Sequence, residues 1–365
     1  MEQSINLNPH EFTRLANNFY VSRGLDNQIG RVNLDAELVN YILSNHNSVK
    51  SKVKVAFCCI CVNPHYWEFI KPLMEGAKNY FLPGHQTNFF LWSDIPKPSK
   101  FDFETIEKQI FAYHTQNPRA IPVEQIRFDV KESTKKALQS SQFAESINVF
   151  EIGAEVWPMP TLMRYHLMLQ QEEKLKEYDY IFFCDVDMLF VSVIGDEILG
   201  KRLTAVIQPM YQTRKEFTPP YEPNPQSASY IPRPGKFVNE NGKPRFIPIY
   251  LAGGFQGGKS EPWIEAMKVM RKKIDDDMNK LNYIPIWNDE STFNSYMFEN
   301  PSDEDIILSP SYVYPDSLVK EYFEPMWGQS YYPKLVTLTK KFTLSSSGGE
   351  HVQKTTQELQ SLQPR

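Results

Sequence analysis

Asp185 and Asp187 stand two residues apart at the end of the run Tyr178-Asp-Tyr-Ile-Phe-Phe-Cys-Asp-Val-Asp-Met-Leu-Phe-Val191. The bulky stretch Tyr180 to Cys184 has the composition of a strand buried on both faces. If the chain stays extended through the acids, their carboxylates leave the backbone on the same side. In an open α/β sheet the crevice outside the carboxyl ends of the strands takes ligands. Two acids at such a strand end repel each other unless a positive charge lies between them. A hard cation with oxygen ligands would supply it, and would in turn suit an anion such as a diphosphate. The plainer alternative is that one Asp caps the next turn and the other is solvated. Two chemistries fit the pair: a nucleotide-sugar transferase using it as metal ligands, or a haloacid-dehalogenase-like phosphatase using Asp185 as nucleophile. The phosphatase needs a small-residue turn after the acids, and Met188-Leu189-Phe190 is bulky.

Further groups with chemical capacity lie on both sides. Arg164 sits on or beside the apolar face of a helix formed by Leu162, Tyr165, Met168 and Leu169, either snorkelling outward or serving a site. Thr161 is the expected N-cap of that helix. The four glycines of Tyr250-Leu-Ala-Gly-Gly-Phe-Gln-Gly-Gly258 permit either close backbone approach to a ligand or a tight bend. Asp289 and Glu290 open a helix running to about Phe298, where the helix dipole alone accounts for acids as caps.

These groups need a scaffold, and the pattern supplies one. Val53 to Cys61 reads as a strand, Tyr66 to Tyr80 as an amphipathic helix, and Phe89 to Trp92 as a second strand, which together make a βαβ unit and imply a parallel sheet. No Gly-x-Gly-x-x-Gly follows the first strand, so the dinucleotide fingerprint is missing. A helix is expected near 132–144 and a strand at Ile147–Ile152. Ser260 is read as capping a helix whose Trp263, Met267, Met270 and Ile274 form a core stripe. Residues 1–50 read as a polar arm or cap, and the chain beyond Phe342 as a polar, mobile tail. The segment Gln208 to Pro248 is a long loop dense in Pro, Tyr and Asn, of the kind that is either functional or disordered.

Net charge is -5, without long blocks, which argues against nucleic acid as a partner. Cys58, Cys59, Cys61 and Cys184 lie in apolar runs without metal or redox spacing and read as buried reduced thiols. No leader pattern or membrane span is seen, and the expectation is a soluble, cytoplasmic protein.

Taken in order, several segments resemble glycosyltransferase family 6, the family of the histo-blood-group A/B transferases and α-1,3-galactosyltransferases. They are Phe81-Leu-Pro-Gly-His85, Trp157 to Arg164, Asp185-Val-Asp-Met188, Tyr221-Glu with Pro225-Gln-Ser and Tyr230-Ile-Pro, Gly253 to Gly258, Trp287-Asn-Asp-Glu-Ser291 and Leu308-Ser-Pro-Ser-Tyr312. The resemblance runs from about Val53 to about Phe342. It implies a GT-A fold, an α/β architecture with a mainly parallel twisted sheet flanked by helices. The catalytic domain would span 51–330, with a nucleotide-sugar half at about 51–190, an acceptor half at about 191–330, and 331–365 as C-terminal segment and tail.

The activity implied is transfer of N-acetylgalactosamine or galactose from the UDP-sugar to the 3-hydroxyl of a β-galactoside, with retention. By motif, Asp185 and Asp187 would hold Mn2+, or Mg2+ in its place. Tyr66, Arg164, Val186, Ala252, Gly253, Gly254, Asp289, Lys340 and Lys341 would bind the donor. Gln208, Thr218, Trp287 and Glu290 would face the acceptor, with Glu290 catalytic. Gln208 stands where the blood-group enzymes carry a histidine, and the membrane anchor of the vertebrate members is not seen. Small Ala252 and Gly254 leave room for a 2-acetamido group and favour UDP-GalNAc over UDP-Gal. A non-catalytic galactoside-binding protein on the same fold is the third reading.

Overall fold

The computed structural model describes residues 52–94, 147–153, 158–209, 219–232, 250–316 and 333–338. The arm, the expected helix at 132–144, Trp157, Thr218, Lys340 and Lys341 lie outside them.

β1 (Lys54–Cys61), α1 (Pro64–Tyr80) and β2 (Gln86–Ser93) form the expected βαβ unit, with β1 and β2 parallel. β3 (Ile147–Glu151) extends it on one side and β4 (Tyr180–Cys184) on the other, both parallel. β7 (Leu251–Lys259) then runs antiparallel between β4 and β6 (Leu203–Ile207), and β8 (Ile306–Leu308) closes the sheet in the order β3-β2-β1-β4-β7-β6-β8. A second sheet pairs β5 (Met188–Phe190), β10 (Leu335–Thr337) and β9 (Tyr314–Pro315) in the order β5-β10-β9.

β1 shows why these strands are apolar throughout. Val55, Phe57, Cys59 and Cys61 join the core under α1, while Ala56, Cys58 and Ile60 join the opposite core with Tyr165, Met168, Trp263 and Met267. Alternate side chains thus serve two hydrophobic layers. α5 (Ser260–Leu281) covers the second layer, with Trp263, Met267, Met270 and Ile274 buried as the stripe requires. All four cysteines are buried and unpaired, and burial raises each thiol pKa.

Several local expectations are corrected. The helix read from Thr161 starts earlier and is broken: α2 (Met159–Leu162) and α3 (Arg164–Leu169) flank Met163, whose ψ of 9° interrupts the spiral. Thr161 is therefore inside α2 and caps nothing. Ser260 is the first residue of α5 instead of its cap, and its hydroxyl donates to the Leu175 carbonyl at the end of α4 (Glu172–Leu175). The glycine-rich run makes no bend: it is strand β7.

The four glycines divide by task. A Cβ on Gly257 would lie 2.2 Å from the Ile181 carbonyl oxygen and 2.7 Å from Phe182 Cα, so the strand packs against β4 at a distance only hydrogen permits. Gly258 has φ +147° and a similar backbone neighbour in Arg202. Gly257→Ala is expected to lower the folding free energy by about 3 kcal/mol, measured by urea denaturation, because the obstacle is main chain and cannot rotate away. An unchanged midpoint would mean that β7 and β4 are not so close. Gly253 and Gly254 instead face the crevice.

Candidate active site

β4 ends at Cys184, and Asp185 to Asp187 form a turn before β5, so the extended geometry expected for the two acids does not hold. The turn gives them different surroundings. The Asp185 side chain is 38% exposed and lines two adjoining cavities, whereas Asp187 is 6% exposed. The turn is held at both ends by main chain: the Asp185 N–H donates to Gly254, and the Leu338 N–H donates to Asp187, both at 2.8 Å.

The first cavity, about 140 Å³, is lined by Thr161, Arg164, Asp185, Gly253, Gly254, Trp287, Asp289 and Glu290. A second of about 280 Å³ shares Asp185, Gly254 and Glu290 with it and adds Met188, Gln208, Ala252 and Thr337 among others. One crevice therefore brings together Arg164, both Gly-rich backbone positions, Asp185 and the acids of α6 (Asn288–Glu299).

Arg164 is 2% exposed, which removes the snorkelling alternative. Its guanidinium lies 3.9 Å over the Phe183 ring, donates from Nη2 to Asp185 Oδ1 at 3.1 Å, donates from Nη1 to the Gly253 carbonyl, and stands 3.2 Å from Asp289 Oδ2. Asp289, at 1% exposed, is thus a partner of a buried cation and no solvated cap. Burial pushes its carboxyl up to about 7 against the pull of Arg164. Glu290 is half-buried, and its Oε2 accepts the Gly253 N–H at 2.6 Å. Burial raises it too to about 7, with the Gly253 N–H and the Tyr250 hydroxyl opposing and the charges of Asp289 and Asp185 adding to the rise. Asn288 presents these acids from a left-handed φ of 53°, which Asn tolerates, and Trp287 beside it is 41% exposed and lines the first cavity.

The remaining positions fall differently. Gln208 and Ala252 line the second cavity, and the Gln208 N–H donates to the Tyr250 carbonyl. Val186 is packed in the core at 5% exposed. Tyr66 lies on the first turn of α1, half-buried beside Phe69, and belongs to neither lining.

Three supporting residues carried no local signal in the sequence. Gln256 donates to the Gly253 carbonyl at 3.0 Å and accepts from the Tyr165 hydroxyl at 3.0 Å. Asn294, 3% exposed, pairs its amide with both main-chain groups of Leu251 at 2.8 Å and donates to the Glu290 carbonyl, so it fixes α6 on β7 in register. Glu222 accepts from Tyr283 and the Ile286 N–H, both at 2.7 Å, and ties the 219–232 segment to the approach to Trp287.

The donor set suits a hard divalent ion. Two carboxylates on one turn would supply oxygen ligands, although only Asp185 lines the cavities and Asp187 lines neither, and among the described residues no group of three His, Cys, Asp or Glu is placed to hold an ion. Magnesium-like ions at nucleotide sites take one or two carboxylates and draw the rest of their shell from phosphate and water.

A sequence profile of glycosyltransferase family 6 matches residues 130–322. The chain belongs to this family. It is 26% identical over 257 residues to the rat "Histo-blood group ABO system transferase 1", covering 70% of this chain and 59% of that protein. It is 27% identical over 256 residues to the chicken "Globoside alpha-1,3-N-acetylgalactosaminyltransferase 1", covering 69% and 59%. To the Escherichia coli "O-antigen biosynthesis glycosyltransferase WbnI" it is 28% identical over 177 residues, covering 48% and 69%. The chain thus spans about three fifths of the length of the first two relatives. The mixed, mostly parallel sheet with its flanking helices is consistent with the GT-A-like fold of a glycosyltransferase. Membership of a glycosyltransferase family displaces the phosphatase reading. No helix among the described residues is long and apolar enough to cross a membrane.

Proposed function

We propose that the protein is a retaining, metal-dependent transferase that moves α-N-acetylgalactosamine, or galactose, from a UDP-sugar to the 3-hydroxyl of a β-galactoside. The observation that carries this reading is the placement of Glu290 in the same crevice as Asp185, with the Gly253-Gly254 backbone beside them. Asp185 and Asp187 would hold Mn2+, or Mg2+ in its place, and when bound the ion stabilises the negative charge that grows on a diphosphate leaving group. Arg164 fixes the Asp185 carboxylate and the Gly253 carbonyl together, so the diphosphate end and the sugar end of the crevice keep a constant separation. Glu290, oriented by Gly253 N–H, faces the anomeric carbon from the side opposite UDP and supplies negative charge to an oxocarbenium-like centre. Trp287 stacks on the apolar face of the acceptor galactose. Ala252 and Gly254 leave the second cavity open beside the donor sugar, which favours the 2-acetamido substituent. Tyr66, Val186, Thr218, Lys340 and Lys341 keep the donor and acceptor roles that the family resemblance implies.

The test is incubation with MnCl2, a panel of UDP-sugars and β-galactosides, reading UDP release and product linkage. UDP-GalNAc is expected to give an α-1,3-linked product. Absence of UDP release with every donor overturns the reading. Galactoside binding without affinity for UDP would assign a lectin-like role instead.

A further inference from the structure

Lys334 and Glu197 form an ion pair sealed from water, with Nζ to Oε1 at 2.6 Å and side chains 1% and 0% exposed. The carboxylate is held further by the Tyr312 hydroxyl at 3.2 Å and the Gly195 N–H at 2.9 Å, and the ammonium lies 5.3 Å over the Tyr312 ring. Such a pair is a poor source of net stability, because desolvation offsets most of the attraction. Its best-attested use is to specify register.

The strand it adjoins needs that specification. β10 pairs with β5 through Leu335↔Phe190, Val336↔Leu189 and Thr337↔Met188, and with β9 through two residues only. A slip of one residue would swap the faces of the strand, but a slip of two keeps them. Short strands with apolar side chains on both faces have little else to forbid it; Leu335, Val336 and Leu338 are all buried. A two-residue slip carries Lys334 roughly 7 Å along the strand, out of reach of Glu197.

Register matters because β10 ends on the cation-binding turn. The Leu338 N–H donates to the Asp187 carbonyl at 2.8 Å, the Thr337 hydroxyl lies 3.2 Å from Met188 Sδ, and Thr337 itself lines the second cavity. We propose that the buried Lys334–Glu197 pair is the register pin of β10, and that through Leu338 and Thr337 it positions the Asp185–Asp187 turn for its ligand. Both are positioning residues, remote from the reacting atoms. The cation arm of this inference rests on the function proposed above; the register arm does not.

The test is the double variant Glu197→Leu with Lys334→Met, which removes the charges together and so leaves none stranded. Three quantities are measured: Mn2+ affinity by electron paramagnetic resonance, UDP affinity by calorimetry in Mn2+, and hydrogen exchange of the Leu338 amide. The expected result is an unfolding midpoint close to the parent, Mn2+ and UDP affinity lower by about tenfold, and lost protection at Leu338. A disulfide engineered across Leu189 and Val336, which face each other in the native register, is expected to restore both. Where the uncross-linked variant does not fold, the cross-linked form is measured before and after reduction, and the same losses are expected on reduction. Parental protection at Leu338 together with parental affinity, in the double variant or after reduction, overturns the pin. A parent chain that binds neither Mn2+ nor UDP removes the cation reading alone, and Leu338 exchange still decides the register.

Discussion

A Glu290→Gln variant is expected to transfer sugar on the order of 10³-fold more slowly than the parent, with the donor KM little changed. Glutamine keeps the volume and can still accept the Gly253 N–H bond, so the crevice retains its shape. What disappears is the negative charge facing the anomeric centre, which matters most when positive charge develops there. The pH profile gives a second signature. Burial raises Glu290 to about 7 in the free protein, and the ionised form is the reactive one. Activity in kcat/KM should therefore rise with pH through about 7 and fall below it. A bound cation offsets the Asp185 charge that contributes to this rise, so the limb in kcat lies lower. In the Glu290→Gln variant that acid limb should shrink to what Asp289, raised to the same range, contributes. Full activity in the variant would remove Glu290 from the chemistry.

The second large effect concerns the turn. Asp187→Asn is expected to lower transfer by at least about 10²-fold, with Mn2+ affinity falling in parallel when followed by electron paramagnetic resonance. Asn keeps an oxygen ligand and the turn's shape but removes one of the two charges that call for a divalent partner. Because the proposed role is to hold the ion, the loss should also appear in UDP affinity measured with Mn2+ and not in UDP affinity measured in chelator. Activity that persists in chelator with both acids intact would show that the turn serves something other than a metal.

What the sequence made readable follows from range. β1, α1 and β2 were legible because their periodicity is local, and so was the Trp263–Ile274 stripe of α5. The two acids were legible because a buried strand leads directly into them. Their geometry was not, since the turn at 185–187 is set by main-chain bonds to Gly254 and Leu338, both distant in sequence. Capping failed at Thr161 because the helix starts earlier, at Met159, and at Ser260 because its hydroxyl bonds the Leu175 carbonyl of another element. Asp289 looked like any acid in a first helical turn until Arg164 was found 3.2 Å away. Lys334 has its partner 137 residues upstream, so no window of sequence could announce a buried charge. Asn294 and Gln256 are single amides whose importance arises only from the buried polar groups each one satisfies.

The reversed strand of the large sheet has a consequence for how this protein could diversify. Because β7 runs against β4 and β6, its opening residues lie beside the closing residues of β6, with Ile207 opposite Leu251. The described residues that follow Ile207 start at the rim of the crevice, where Gln208 and Pro209 line the second cavity, and residues 219–232 are seated by Ser227 and Ala228 on Asp277 of α5 and by Ser229 on Thr292 of α6. Exchanging that stretch among relatives should therefore alter the lining of the second cavity, provided the exchanged piece keeps the Glu222, Ser227 and Ser229 contacts that seat it.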